Sequence, residues 1–200
     1  MTADSDTGMA AAPRRVAGAL ELVLCAREEP LADVWDEVAA QRPDIRVHRG
    51  SVLDVSAQAV VSPANSYGYM RGGIDAVYAQ RFPAVEQHVR SAVLALHGGE
   101  LPVGEALIVP TGTDEPAWLI TAPTMREPSE SLAAETVHPY LAARAVFRLW
   151  RDGALEDGTP VRAVVGTIAT PGLGTGVGGV PPQVCGRQVA AAWDAVFGAA

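Results

Sequence analysis

The chain has 200 residues, 48% of them hydrophobic, which suits one domain with a sizeable buried core. It carries 15 Lys and Arg against 23 Asp and Glu, a net charge of −8. That balance argues against a broad phosphate-neutralising surface, and so against sequence-independent nucleic-acid binding. It does not exclude a small anion, because backbone N–H groups and helix N-termini supply local positive potential.

Residues 1–15 are rich in Ala, Asp, Thr and Gly and read as a disordered tail, leaving 16–200 as one folded unit. Residues 19–25, ALELVLC, read as a strand. Leu31, Val34, Trp35, Val38 and Ala39 then fall at helical spacing behind Pro30. A short strand is expected at 45–48, and 54–61 leads into another that ends in Ala59-Val60-Val61. Ile74 to Tyr78 can open a helix. Val85, Val89, Ala92, Val93 and Leu96 mark the next one, with Gly98-Gly99 as its stop. Strands follow at 106–109 and 118–122, joined by a turn containing Gly and Asp. Residues 124–135 are polar and irregular. Ala142, Ala145, Val146, Leu149 and Trp150 make a helix that ends near Gly153, 161–168 reads as a strand, and 184 onward as the closing helix. Strands alternating with helices predict an α/β fold, a three-layer α/β/α sandwich around a mixed, largely parallel sheet.

Cys25 and Cys185 are too few for a disulfide framework and read as small buried hydrophobes. His48, His88, His97 and His138 lack metal-ligand spacing, so no metal is expected and surface or capping roles are assigned. Trp35, Trp150 and Trp193 sit on apolar helical stripes and are expected in the core. No span is apolar and long enough for a membrane helix, and no secretion signal is evident, so a cytoplasmic location is expected.

Two glycine-rich segments carry the chemistry. In the first, VVSPANSYGYMRGGIDAVY at 60–78, a strand end is broken by Ser62-Pro63-Ala64-Asn65-Ser66-Tyr67. Gly72-Gly73 and Ile74-Asp75 follow at the opening of a helix. Side chains placed just beyond a strand's carboxyl end, beside a Gly-rich turn, are where open α/β sheets bind ligands. Asn65 has a second reading, as a turn residue bonded to its own backbone. Asp75 also has one, as a first-turn acid favoured by the helix dipole. The second segment, Thr170-Pro171-Gly172-Leu173-Gly174-Thr175-Gly176 with Gly178-Gly179 beyond it, can turn backbone N–H groups toward phosphate oxygens, or can simply connect. Its Gly-x-Gly-x-x-Gly spacing lacks the following strand and acidic residue of a dinucleotide fold, and the chain contains no P-loop motif.

The first segment resembles the signature of macro domains, which bind ADP-ribose. The resemblance extends through 101–106 (LPVGEA), 118–122 (WLITA), 164–176 (VVGTIATPGLGTG) and the closing helix at 181–197, and so covers about 46–197. It implies that Asn65 contacts the distal ribose and that Asp75 is the family's acidic residue ten positions on. It implies that Ala64, Ser66, Tyr67, Gly72, Gly73 and Ile74 line the first wall. Thr170, Pro171, Gly172, Leu173, Gly174, Thr175 and Gly176 would hold the diphosphate. Where the family often has Gly-Asp-Ile, whose Asp meets the adenine amino group, this chain has Gly50-Ser51-Val52. Ser51 or Asp54 is then left to meet the base, with Val52 packed on it. Tyr67 or Tyr69 is left to wall the distal ribose, and Arg71 reads as a solvated loop residue.

The activity the resemblance implies is hydrolysis of ADP-ribose from a modified protein, nucleic-acid end or metabolite. Water attacks the distal anomeric carbon, Asp75 orients and deprotonates it, and the adjacent diphosphate can share the base's role. Asn65 fixes the sugar. No cofactor is required. The other readings are a module that binds ADP-ribose without cleaving it, and a macro fold turned to protein–protein contact.

Overall fold

The computed structural model describes residues 18–198; the expected tail at 1–15 lies outside them. Among the described residues six strands form one sheet: β1 (Glu21–Ala26), β2 (Ile45–Arg49), β3 (Ala59–Ser62), β4 (Leu107–Pro110), β5 (Trp118–Thr121) and β6 (Thr167–Thr170). Their order is β2-β1-β6-β3-β5-β4. Every neighbouring pair is parallel except β4 against β5. The carboxyl ends of β2, β1, β6, β3 and β5 therefore share one edge.

The helices are α1 (Glu29–Ala39), α2 (Gly73–Arg81), α3 (Val85–His97), α4 (His138–Asp152), the single turn α5 (Val161–Val164) and α6 (Pro182–Phe197). They cover both faces, and the alternation along the strands shows how. Leu22, Leu24 and Ala26 of β1 face a core built with α1, α4 and α6. Val23 and Cys25 face a second core built with α2 and α3. The apolar runs of β1 and β3 are those of strands buried on both sides. The mixed, mostly parallel sheet between two helical layers is the architecture the alternation predicts.

Three aromatic anchors hold the first layer. Trp35 has no exposed surface, and its indole N–H donates to the Cys25 carbonyl at 3.3 Å. This ties α1 to the last turn of β1. Trp150 donates to the Val165 carbonyl at 2.7 Å, and Trp193 meets Phe147 edge to face at 5.4 Å. Each buried indole N–H that bonds a carbonyl avoids the cost of an orphaned donor. The two cysteines are buried and unpaired, as expected. No helix of the described residues is long and apolar enough to cross a membrane.

One element departs from expectation. The run at 161–168 is not a strand throughout. Its first half is α5, and only Thr167–Thr170 joins the sheet. Pro160 starts the turn, and the Val165 N–H closes on the Val161 carbonyl at 2.9 Å. Val161 and Val165, four apart, are both fully buried. A short apolar run satisfies both periods, and here the helical one prevails. The histidines also divide. His88 and His138 each place Nδ1 against a backbone carbonyl, of Pro110 at the end of β4 and of Thr124 in the loop after β5. His48 is half-buried, and its buried Nε2 has no hydrogen-bond partner.

Candidate functional site

A groove of about 660 Å³ runs along the shared carboxyl edge of the sheet. Its volume lies within the range of small-molecule sites. Its walls come in strand order: Gly50-Ser51-Val52 after β2, Ala26 at the end of β1 with Arg27-Glu28 beyond it, Pro171-Gly172 and Gly174 to Gly178 after β6, Pro63-Ala64-Asn65, Tyr69 and Arg71 to Asp75 after β3, and Met125 with Pro128-Ser129 after β5. Neighbouring strands lie about 4.8 Å apart, so β2 to β3 spans roughly 14 Å and β2 to β5 roughly 19 Å. The groove is thus elongated across the strand ends. A glycine-rich loop lies at its middle and Asn65 and Asp75 lie toward one end.

Asp75 occupies the first turn of α2, where the helix's partial positive charge faces it. It is only 7% exposed. The Ser62 hydroxyl donates to its Oδ1 at 2.6 Å, and no donor among the described residues reaches Oδ2. Burial pushes the carboxyl up to about 6; Glu86 adds repulsion, and the Ser62 bond opposes both. Three residues on, Tyr78 is fully buried and donates to the Val61 carbonyl at 3.0 Å. The same helical face therefore fixes α2 to β3 and aims Asp75 at the groove. The turn into α2 needs Gly73, which takes φ +55°.

Asn65 is 7% exposed and lines the groove, but its amide is already engaged. Its Oδ1 accepts from the Tyr67 and Tyr69 N–H groups at 3.1 and 3.3 Å. Its Nδ2 donates to the Tyr69 carbonyl at 2.7 Å. The side chain closes its own loop, as the turn reading anticipates, and one N–H remains for a ligand.

The second loop is built for close approach. A Cβ at Gly172 would overlap Thr175 Oγ1 and lie 2.7 Å from Leu31 Cδ2. Gly174 takes φ +72°, and its carbonyl accepts from Val180 N–H at 3.0 Å. The loop is thereby folded against α1 rather than left as a free connector.

At the β2 end, Ser51 and Asp54 form a capping box on the short 3-10 turn Val52–Asp54. Ser51 Oγ accepts from Leu53 N–H at 3.3 Å, and the Asp54 carboxylate accepts from Ser51 N–H at 3.2 Å. Ser51 and Val52 line the groove; Asp54 does not.

Of the other expected site residues, Ala64, Gly72, Gly73, Ile74, Pro171, Gly172, Gly174, Thr175 and Gly176 line the groove. Ser66, Tyr67, Thr170 and Leu173 do not. The Ser66 N–H is shared by the Met125 and Arg126 carbonyls at 3.1 Å, which turns it into the β3–β5 junction. Tyr67 points outward, its hydroxyl on Glu127 and the Arg126 guanidinium over its ring. Thr170 is buried and bonds the Pro171 carbonyl, and Leu173 packs into the α1/α4/α6 core. Of the two tyrosines offered as a wall, Tyr69 is the one on the groove, flanked by Arg71 and Arg90 at 5.3 and 4.7 Å from its ring centre. Arg71 itself lines the rim. Arg27, Glu28, Met125 and Ser129 were not expected. The signal for the first two was available, since they follow β1 at the carboxyl edge of a parallel sheet.

The macro domain family model matches residues 61–189. An uncharacterized protein of Aquifex aeolicus is 38% identical over 146 residues, 73% of this chain and 78% of that protein. One from Aeropyrum pernix is 31% identical over 148 residues, 74% and 69%. Among solved structures, the macrodomain of Mycobacterium tuberculosis DarG superposes with a TM-score of 0.59 at 22% identity, covering 73% of this chain and 87% of that one. Thermosipho africanus DarTG in complex with ADP-ribose gives 0.56 at 18% identity, covering 74% and 38%. At such identities the structural likeness speaks for the fold.

Proposed function

Because the chain belongs to the macro domain family, we propose that its groove binds ADP-ribose and that Asp75 turns binding into hydrolysis. The base lies at the β2–β1 end, the diphosphate over the Pro171–Gly176 loop, and the distal ribose against Asn65 and Asp75. The order of the walls supports this pose: the anion-suited loop is central and the groups suited to a sugar are terminal. The ADP-ribose held by the Thermosipho neighbour supports the choice of ligand.

The observation that carries catalysis is the state of Asp75. Its carboxyl is buried, anchored through one oxygen, and raised to about 6. A general base works best when its pKa lies near the operating pH. In the proposed step Asp75 takes a proton from water through Oδ2. The water oxygen bonds to the distal anomeric carbon, and the bond from that carbon to the acceptor's oxygen or nitrogen breaks. The electron pair leaves with the acceptor, which is then protonated. The free N–H of Asn65 donates to a ribose hydroxyl and fixes the sugar.

The test is turnover of ADP-ribosylated peptide, oligonucleotide and O-acyl substrates by wild type, Asp75→Ala and Asn65→Ala. Loss of about 10²–10⁴-fold in Asp75→Ala is expected. Wild-type rates in both variants would remove the assigned roles. A second reading, a module that binds without cleaving, is favoured by the engagement of Asn65 with its own loop. Micromolar ADP-ribose binding, about −8 kcal/mol, with no product from any substrate would select it.

A further inference from the structure

The strand that ends beside Asp75 carries one residue out of keeping with its place. β3 is buried on both faces, and its residues run Ala-Val-Val-Ser. Such strands are ordinarily apolar throughout. Val60 faces the α2/α3 core, and Ser62, two residues on, points to the same side with 1% of its surface exposed. A hydroxyl buried there needs a partner, and it has one, Asp75 Oδ1 at 2.6 Å. Asp75 lines the groove, whereas Ser62 does not. The backbone on both sides of the contact is locked. Ser62 pairs with Thr121 of β5, and its carbonyl accepts from Ala122 N–H at 3.0 Å. Tyr78 fastens α2 to the neighbouring Val61 carbonyl. The sheet therefore sets which carboxylate oxygen is held and which is left.

No other group shares this task. Asp75 is paired with no Arg or His among the described residues. From α3, Glu86 adds a like charge. On α2, burial pushes the Tyr78 hydroxyl well up, and at the end of β1 burial pushes the Cys25 thiol up to about 12, so both stay neutral. Arg71, on the loop before α2, turns its guanidinium to the Tyr69 ring. Resting on the reading of Asp75 as the base, we propose that Ser62 is its positioning residue: the hydroxyl keeps Oδ1 on the strand and Oδ2 toward the groove, and it holds the carboxylate ionised at the pH where the site works. A donor to the charged form favours that form. Ser62 thus offsets part of the effect of burial, and without it about half or more of the Asp75 carboxyls would be protonated near pH 7.

The experiment follows the Asp75 carboxyl carbon by NMR against pH in the full chain, as wild type, Ser62→Ala and Ser62→Thr, with Asp75→Asn to assign the signal. Beside it, kcat/KM against pH is measured on an ADP-ribosylated peptide, since that ratio reports the groups of the free enzyme. Ser62→Ala should move the carboxyl midpoint about one to two pH units above wild type, the scale of one hydrogen bond to a charged group. The kcat/KM midpoint should move with it, so that turnover near pH 6 falls about five- to fiftyfold and recovers near pH 9, where ADP-ribose affinity is unchanged. Ser62→Thr keeps the hydroxyl and should titrate as wild type; if its added methyl is not accommodated, the Ala comparison decides alone. Ser62→Ala keeps the Cβ and adds no bulk to the strand, and unchanged near-UV circular dichroism checks its fold. A carboxyl midpoint that stays at the wild-type value in Ser62→Ala, with turnover lowered equally at every pH, overturns the proposal and leaves Asp75 as the base. A carboxyl midpoint that moves while the kcat/KM profile stays, or a wild type that turns over no substrate, removes Asp75 as the base instead, and the titration still shows whether Ser62 governs its charge.

Discussion

Asp75 is the residue where burial and chemistry meet. Its carboxyl titrates near 3.8 in an unfolded chain and at about 6 when folded. The raised value means that folding favours the protonated form. The stability it contributes is full below pH 3.8 and is lost as pH rises toward 6; above that, ionised Asp75 costs on the order of 3 kcal/mol. Asp75→Asn keeps an oxygen for the Ser62 hydroxyl and removes the charge. It should therefore stabilise the fold at pH 8 and have little effect at pH 4, measured by urea denaturation at both. Equal effects at the two values would mean that Asp75 is ionised without penalty. The same carboxyl sets the sign for activity. The base must be ionised, so turnover should rise with pH through a midpoint near 6, and Asp75→Asn should flatten that profile. Asn65 and Asp75 were legible in the sequence because both sit in one short strand-end segment. The sequence did not show that Asn65 spends three of its four hydrogen-bonding positions on Tyr67 and Tyr69, since that depends on how the 65–69 loop curls. Nor did it show that Ser51 and Asp54 satisfy one another.

At the scale of elements, the groove exists because β1 and β6 end beside each other and α1 crosses behind the second loop. Gly172 marks the closest approach. Gly172→Ala should push the loop from Leu31 and Thr175 and weaken ADP-ribose binding by about tenfold or more, at a stability cost of about 1–3 kcal/mol. Titration and thermal melting of that variant check both, and unchanged binding would show that the loop does not hold the ligand. Trp35→Ala removes the fully buried anchor of α1 and should cost about 3–5 kcal/mol. A loss under 1 kcal/mol in denaturant would mean that α1 is positioned by something else. Periodicity found β1, α1, α3, α4 and α6 because their apolar stripes are long. It misread 161–168, where a four-residue helical turn and the first residues of β6 are separated only by Val165-Gly166. Sheet order is fixed by long-range pairing, so the insertion of β6 between β1 and β3 left no local trace.

Over the whole molecule, a net charge of −8 is set against a groove proposed to take a diphosphate. Binding then rests on local groups, the backbone N–H donors of the glycine loop and the rim cations Arg27 and Arg71, rather than on a global field. If ADP-ribose binds only the folded chain, a hundredfold excess over Kd should stabilise it by about 2.7 kcal/mol and raise Tm by about 5–10 °C. The most direct measurement is a crystal structure of the chain with ADP-ribose. The diphosphate should lie on the Pro171–Gly176 loop, the distal ribose should bond Asn65 Nδ2, and a water should stand between Asp75 Oδ2 and the anomeric carbon. A nucleotide bound elsewhere, or lying in the groove with its ribose turned away from Asp75, would contradict the account.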